Sequence, residues 1–151
     1  REALDAAWTR LTLGAEPHAT SLLVAGRVLP VSRAAAGCAR FTFDELCARP
    51  LGAADYLEIA DHFHTVLLDD IPKLTPSMRE EAARFRLLID ALYEAKTKLL
   101  CSAEAEPHHL YPQGDMAFEF ERTVSRLMEM RSEVYLAQPR RDQEFRRAVV
   151  E

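Results

Sequence analysis

The feature that most constrains this chain is a pair of short apolar runs flanking a long amphipathic segment. Residues 65–68 read Thr-Val-Leu-Leu and residues 98–101 read Lys-Leu-Leu-Cys. Runs this short and apolar are characteristic of strands covered on both faces. Between them, Phe85, Leu88, Ile89 and Leu92 recur at the spacing of one helical face. Thr75 followed by Pro76 predicts the helix start, with Thr as N-cap and Pro at the first helical position. Strand, helix, strand predicts a βαβ unit, two parallel neighbours joined by a right-handed crossover.

Upstream the pattern changes. Residues 2–13 space Leu4, Ala7, Trp8 and Leu11 as an amphipathic helix, broken at Glu16-Pro17-His18. Residues 22–24, 27–31 and 40–43 are β-prone and separated by Gly26 and Gly37, which predicts an antiparallel ribbon or meander. Thr42-Phe43-Asp44-Glu45 has capping-box spacing and predicts a short helix carrying Leu46 and Cys47. Tyr56, Ile59, Ala60 and Phe63 predict another helix, and residues 122–137 a last one, burying Val124, Leu127, Met128 and Tyr135. The expected class is α/β: an antiparallel ribbon plus a parallel βαβ pair, flanked by helices.

With 151 residues, 48% of them hydrophobic, the chain can bury a sizeable core without disulfides or metal. No apolar run approaches the length of a membrane helix, and no signal peptide is expected. A net charge of −5 argues against nucleic-acid binding through bulk phosphate neutralisation. Cys38, Cys47 and Cys101 form no C-x-x-C pair, so they are expected as reduced, small apolar packers in a cytosolic setting. His62, His64, His108 and His109 match no metal-ligand spacing, so packing and surface roles are expected and no metal. Asp69 and Asp70 end an apolar run and are read as a turn before Ile71-Pro72.

An ordered series of short motifs reaches further. It runs through Gly26-Arg27-Val28-Leu29, Ala39-Arg40-Phe41-Thr42-Phe43-Asp44-Glu45-Leu46-Cys47 and Pro50-Leu51-Gly52-Ala53-Ala54-Asp55-Tyr56. It continues with Phe63-His64-Thr65-Val66, Leu88-Ile89-Asp90-Ala91-Leu92-Tyr93-Glu94, Ser102-Ala103-Glu104 and Phe120-Glu121-Arg122-Thr123-Val124-Ser125-Arg126-Leu127. Together these resemble the C-terminal part of the AFG-one-like P-loop ATPases, an AAA-type family. The resemblance covers nearly everything from Leu4 to Leu136.

That resemblance implies a nucleotide-binding fold, with ATP and Mg²⁺ as cofactors of a longer parent. Residues 1–138 would be its C-terminal domain and 139–151 a charged tail. The implied partners are the parent's own P-loop core and a protein partner in division or membrane-protein quality control. A homo-oligomer is left open. Localisation would be cytoplasmic in a bacterium, or peripheral to the membrane. In AAA-type ATPases an arginine on a late helix stabilises γ-phosphate charge. By resemblance Arg122 and Arg126, four apart, are the candidates for that role; Arg84 and Arg27 rank lower. Two departures stand out. Ala83 replaces an arginine that relatives usually carry, and none of the five glycines opens a G-x-x-x-x-G-K-[ST] loop. The chain alone is therefore expected to be inactive and to hold no cofactor. The alternative function is a non-enzymatic protein-interaction domain.

Overall fold

A computed structural model describes residues 2–111, 114 and 117–131. Among these residues five strands form one mixed sheet in sequence order: β1 (His18–Val24), β2 (Arg27–Ala35), β3 (Cys38–Thr42), β4 (Thr65–Ile71) and β5 (Lys98–Ala103). The predicted meander is β1-β2-β3, antiparallel throughout. Its two turns are alike. Ala25-Gly26 and Ala36-Gly37 both carry positive φ at each central residue, near 50° and then 80°. That is the signature of the two-residue turn whose twist matches the flanking strands.

β4 and β5 are parallel neighbours, as the strand–helix–strand pattern predicts. β3 also runs parallel to β4, making a second parallel crossover that the sequence reading did not anticipate. Two short helices, α2 (Phe43–Cys47) and α3 (Ala53–His62), form that connection. The capping box of α2 is present in full. Thr42 Oγ1 accepts from Glu45 N at 3.1 Å, and Glu45 Oε1 accepts from Thr42 N at 2.9 Å.

One face of the sheet carries α2, α3, α4 (Arg79–Ala95) and α5 (Ala117–Met130), and the main core lies between them. Tyr56, Phe41, Phe43, Phe85 and Phe120 are its largest fully buried side chains. Each contributes roughly 1.5–3 kcal/mol by leaving water. Among the described residues the opposite face is covered by one helix, α1 (Glu2–Leu11), whose Leu4 and Trp8 pack on Ala35, Cys38 and Leu67.

Five expectations need correction. α4 starts at Arg79, not after Thr75: Thr75 Oγ1 bonds to Ser77 Oγ at 2.9 Å, and Met78 N donates to Thr75 O, so a separate turn precedes the helix. α5 starts at Ala117, a full turn before Arg122, and within it Met128 is exposed rather than buried. Tyr135 lies outside the described residues. Asp69 and Asp70 belong to β4 instead of a turn, Asp70 taking φ +64° at a bulge opposite β5. Cys101 is exposed on the sheet's last strand, while Cys38 and Cys47 are buried as expected.

Candidate functional site

The two candidate arginines share α5 and part company in their surroundings. Arg126 is half-buried and committed. It bonds to Asp90 Oδ1 on α4, lies 3.6 Å from Glu94 Oε1 and sits 4.8 Å over the Tyr93 ring. Glu129, one turn on, accepts from Tyr93 Oη at 2.6 Å. Both cross-helix bonds link residues 36 apart, so α4 and α5 run parallel and are clasped along one seam. Arg122 is exposed and has no ion-pair partner among the described residues. Both lie inside the helix and not at its N-terminus, so the helix dipole does not oppose them there.

The lower-ranked arginines are structural anchors. Arg27, beside the β1–β2 turn, donates to both oxygens of Asp55 at 3.0 and 3.2 Å. Asp55 also accepts from Gly52 N at 2.8 Å, so the pair ties the ribbon to the start of α3. Arg84 donates to Cys47 O at 3.1 Å and joins α4 to the end of α2.

A third arrangement was not read from the sequence. On the face of the sheet covered by α1, Arg40 in the middle of β3 grips Asp69 of β4 through Nε–Oδ2 at 2.7 Å and Nη2–Oδ1 at 3.0 Å. Its Nη1 reaches Asp5 on α1 at 2.8 Å. Both Arg40 and Asp69 side chains are buried, 4% and 6% exposed, so the fork geometry is what makes this pair tolerable. A cleft of about 350 Å³ opens beside the pair. Its charged lining is Asp5, Asp69 and Glu45 against Arg33 and Arg40. Three carboxylates outweigh two guanidinium groups, so the cleft does not favour a phosphate.

The remaining polar features of the sequence hold strands together. Ser102 Oγ accepts from Asp70 N at 2.8 Å, and Glu104 Oε2 from Lys73 N at 3.2 Å, closing the ends of β4 and β5. His64 sits where α3 hands over to β4, bonded to Thr65 Oγ1 at 2.8 Å and to Ala36 O at 3.1 Å. No cluster of three metal-ligating side chains exists among the described residues, and none of their helices is long and apolar enough to cross a membrane.

Parallel crossovers packed under helices, with an arginine-bearing helix clasped to one crossover, define a domain of the α/β class in which P-loop nucleotide-binding proteins are found. The comparison with known proteins is narrower. The chain belongs to the AFG1-like ATPase family, whose profile matches residues 1–139. The cell division protein ZapE of Escherichia coli K12 is 36% identical over 136 residues, covering 90% of this chain and 36% of that protein. The zebrafish (Danio rerio) lactation elevated protein 1 homolog B is 36% identical over 146 residues, covering 76% and 29%. An uncharacterized protein of Schizosaccharomyces pombe is 31% identical over 150 residues, covering 81% and 33%. The chain thus spans about a third of the length of the curated relatives it matches. No solved structure matches it.

Proposed function

We propose that residues 1–138 form the C-terminal domain of an ATPase that couples ATP hydrolysis to remodelling of a protein partner. The phosphate-binding core, with its ATP and Mg²⁺, would lie elsewhere in the parent. One observation carries the reading. Family membership extends over residues 1–139 at a third of the relatives' length, while none of this chain's glycines opens a phosphate loop. The cell-division naming of the Escherichia coli relative supports a partner in the division machinery of a bacterial cytoplasm.

Of the two arginines, Arg122 is the proposed phosphate-facing group, because its guanidinium has no ion-pair partner among the described residues. Arg126 is the positioning residue, holding α5 on α4 so that Arg122 is presented at a fixed place. The test is made on the full-length parent, measuring ATP turnover and thermal midpoint together. Arg122→Ala is expected to reduce turnover at least tenfold with the midpoint unchanged, within the range of a lost phosphate-charge contact. Unchanged turnover overturns the assignment.

A further inference from the structure

Helix α1 is held to the sheet by one narrow seam. No backbone hydrogen bond joins residues 2–17 to the rest of the described chain. Beyond the helix ladder, Thr12 N donates to Trp8 O, Leu13 N to Arg10 O, Gly14 N to Thr9 O and Ala15 N to Thr12 O, all within the segment. The Thr9 and Thr12 hydroxyls also donate inside it, to Asp5 O and Trp8 O. Its polar link to the sheet is Asp5, whose carboxylate meets Arg40 Nη1 at 2.8 Å while the side chain stays 61% exposed. Leu4 and Trp8 form an apolar cluster with Ala35, Cys38 and Leu67 that is separate from the main core. The connection to β1 turns through Leu13 and Gly14, at φ +55° and +74°. Leu13 is exposed there, and a cleft of about 330 Å³ lies alongside.

Opening this seam strands no buried charge. Asp5 already stands largely in solvent, and Arg40 keeps both of its bonds to Asp69 when α1 leaves. The strand pairing of the sheet involves β1–β5 alone and is untouched. A segment with few buried apolar side chains and self-contained backbone bonding opens at a lower free energy than the whole fold. Two thiols tell these events apart. Cys38 is fully buried under Leu4 and Trp8, whereas Cys47, equally buried, belongs to the main core among the helices of the other face.

We propose that α1 is a strap that opens as one unit while the five-stranded sheet stays folded, with the Asp5–Arg40 pair as its latch. The strap is independent of the nucleotide role given to Arg122. Timed alkylation of this chain with iodoacetamide, read by mass spectrometry after trypsin digestion, tests it. Cleavage after Arg40 puts Cys38 and Cys47 on different peptides. Opening of the strap exposes Cys38 alone, and global unfolding exposes both. Cys38 is expected to react at least about tenfold faster than Cys47, with a rate that stays nearly flat in low urea while that of Cys47 climbs. Asp5→Ala breaks the latch at an exposed position and should speed Cys38 about three- to fivefold. Ile89→Val weakens the main core on α4 without touching the seam. It should speed Cys47 about fivefold and leave Cys38 unchanged. Amides of residues 6–11 should exchange their hydrogens together, with the same weak urea dependence as Cys38. Equal rates at the two thiols, or an Ile89→Val that speeds both, would show that α1 leaves only with the whole fold and overturn the strap. A Cys38 rate indifferent to Asp5→Ala would place the opening in the neighbouring Ala36-Gly37 turn and overturn it equally.

Discussion

Ala25 and Ala36 hold φ near +50°, a conformation that costs an L-residue with a Cβ roughly 1 kcal/mol or more. Asn tolerates it better because its side chain bonds locally. Ala25→Asn is therefore expected to stabilise the chain by about 0.5 kcal/mol, seen as a rise of ~1–2 °C in thermal midpoint. The glycines that follow differ in a way that isolates sterics from backbone strain. A Cβ on Gly26 meets nothing within 4 Å, whereas one on Gly37 lands 2.5 Å from His64 Nε2. The His64 ring is held by bonds to Ala36 and Thr65 and cannot retreat without losing them. Gly26→Ala should cost about 1 kcal/mol and Gly37→Ala at least ~1 kcal/mol more, compared by urea denaturation. Equal losses would show that the ring moves freely. The Arg40–Asp69 pair offers a third check. Asp69→Ala leaves a buried guanidinium with only the exposed Asp5 beside it and should cost about 3–5 kcal/mol. Replacing both partners by Met and Leu should recover most of that loss.

At the scale of elements, α5 is the informative one. Its packing residues Val124 and Leu127 are legible from spacing, while Phe120, which precedes the expected start of the helix, is not; it stacks on Phe85 at 6.1 Å between ring centres. The polar face of α5 is not legible either. The seam to α4 consists of one salt-bridged arginine, one cation–π contact and one tyrosine–glutamate bond between residues about 36 apart. Arg126→Ala removes two of these at a largely desolvated position and is expected to cost about 1–2 kcal/mol. Arg122→Ala removes an exposed side chain and should change stability by less than about 0.5 kcal/mol. Thermal midpoints of the two variants, measured on this chain, separate anchor from free group. Equal effects would contradict the division of labour between them.

For the molecule as a whole, family membership and stand-alone chemistry are separate matters. A ligand present at a hundred times its dissociation constant stabilises the folded state by about 2.7 kcal/mol. Mg·ATP at ~1 mM would thus raise the midpoint of this chain by several degrees if it bound with Kd near 10 μM. A shift below about 1 °C is expected, since no backbone cradle for a β-phosphate is encoded among its glycines. A shift of several degrees would relocate the nucleotide site into this domain.

What the sequence by itself determined is whatever depends on neighbours along the chain. Short β-prone runs separated by glycines placed the ribbon and period-3.6 patterns the helices, the Thr42–Glu45 capping box is a local reciprocal bond, and an ordered set of short motifs carried the family. Tertiary structure decided everything that depends on charge partners far apart in sequence. Asp69 reads locally as turn chemistry, yet it lies within a strand because Arg40, 29 residues earlier, supplies a buried counter-charge. Arg122 and Arg126 look equivalent at i and i+4. They become different groups only because α4 lies parallel to α5 and brings Asp90 and Glu94 to one of them. Hydrophobic periodicity specifies which face is buried, but a buried or clasped charge is set by the partner the fold delivers, and no local spacing encodes that partner.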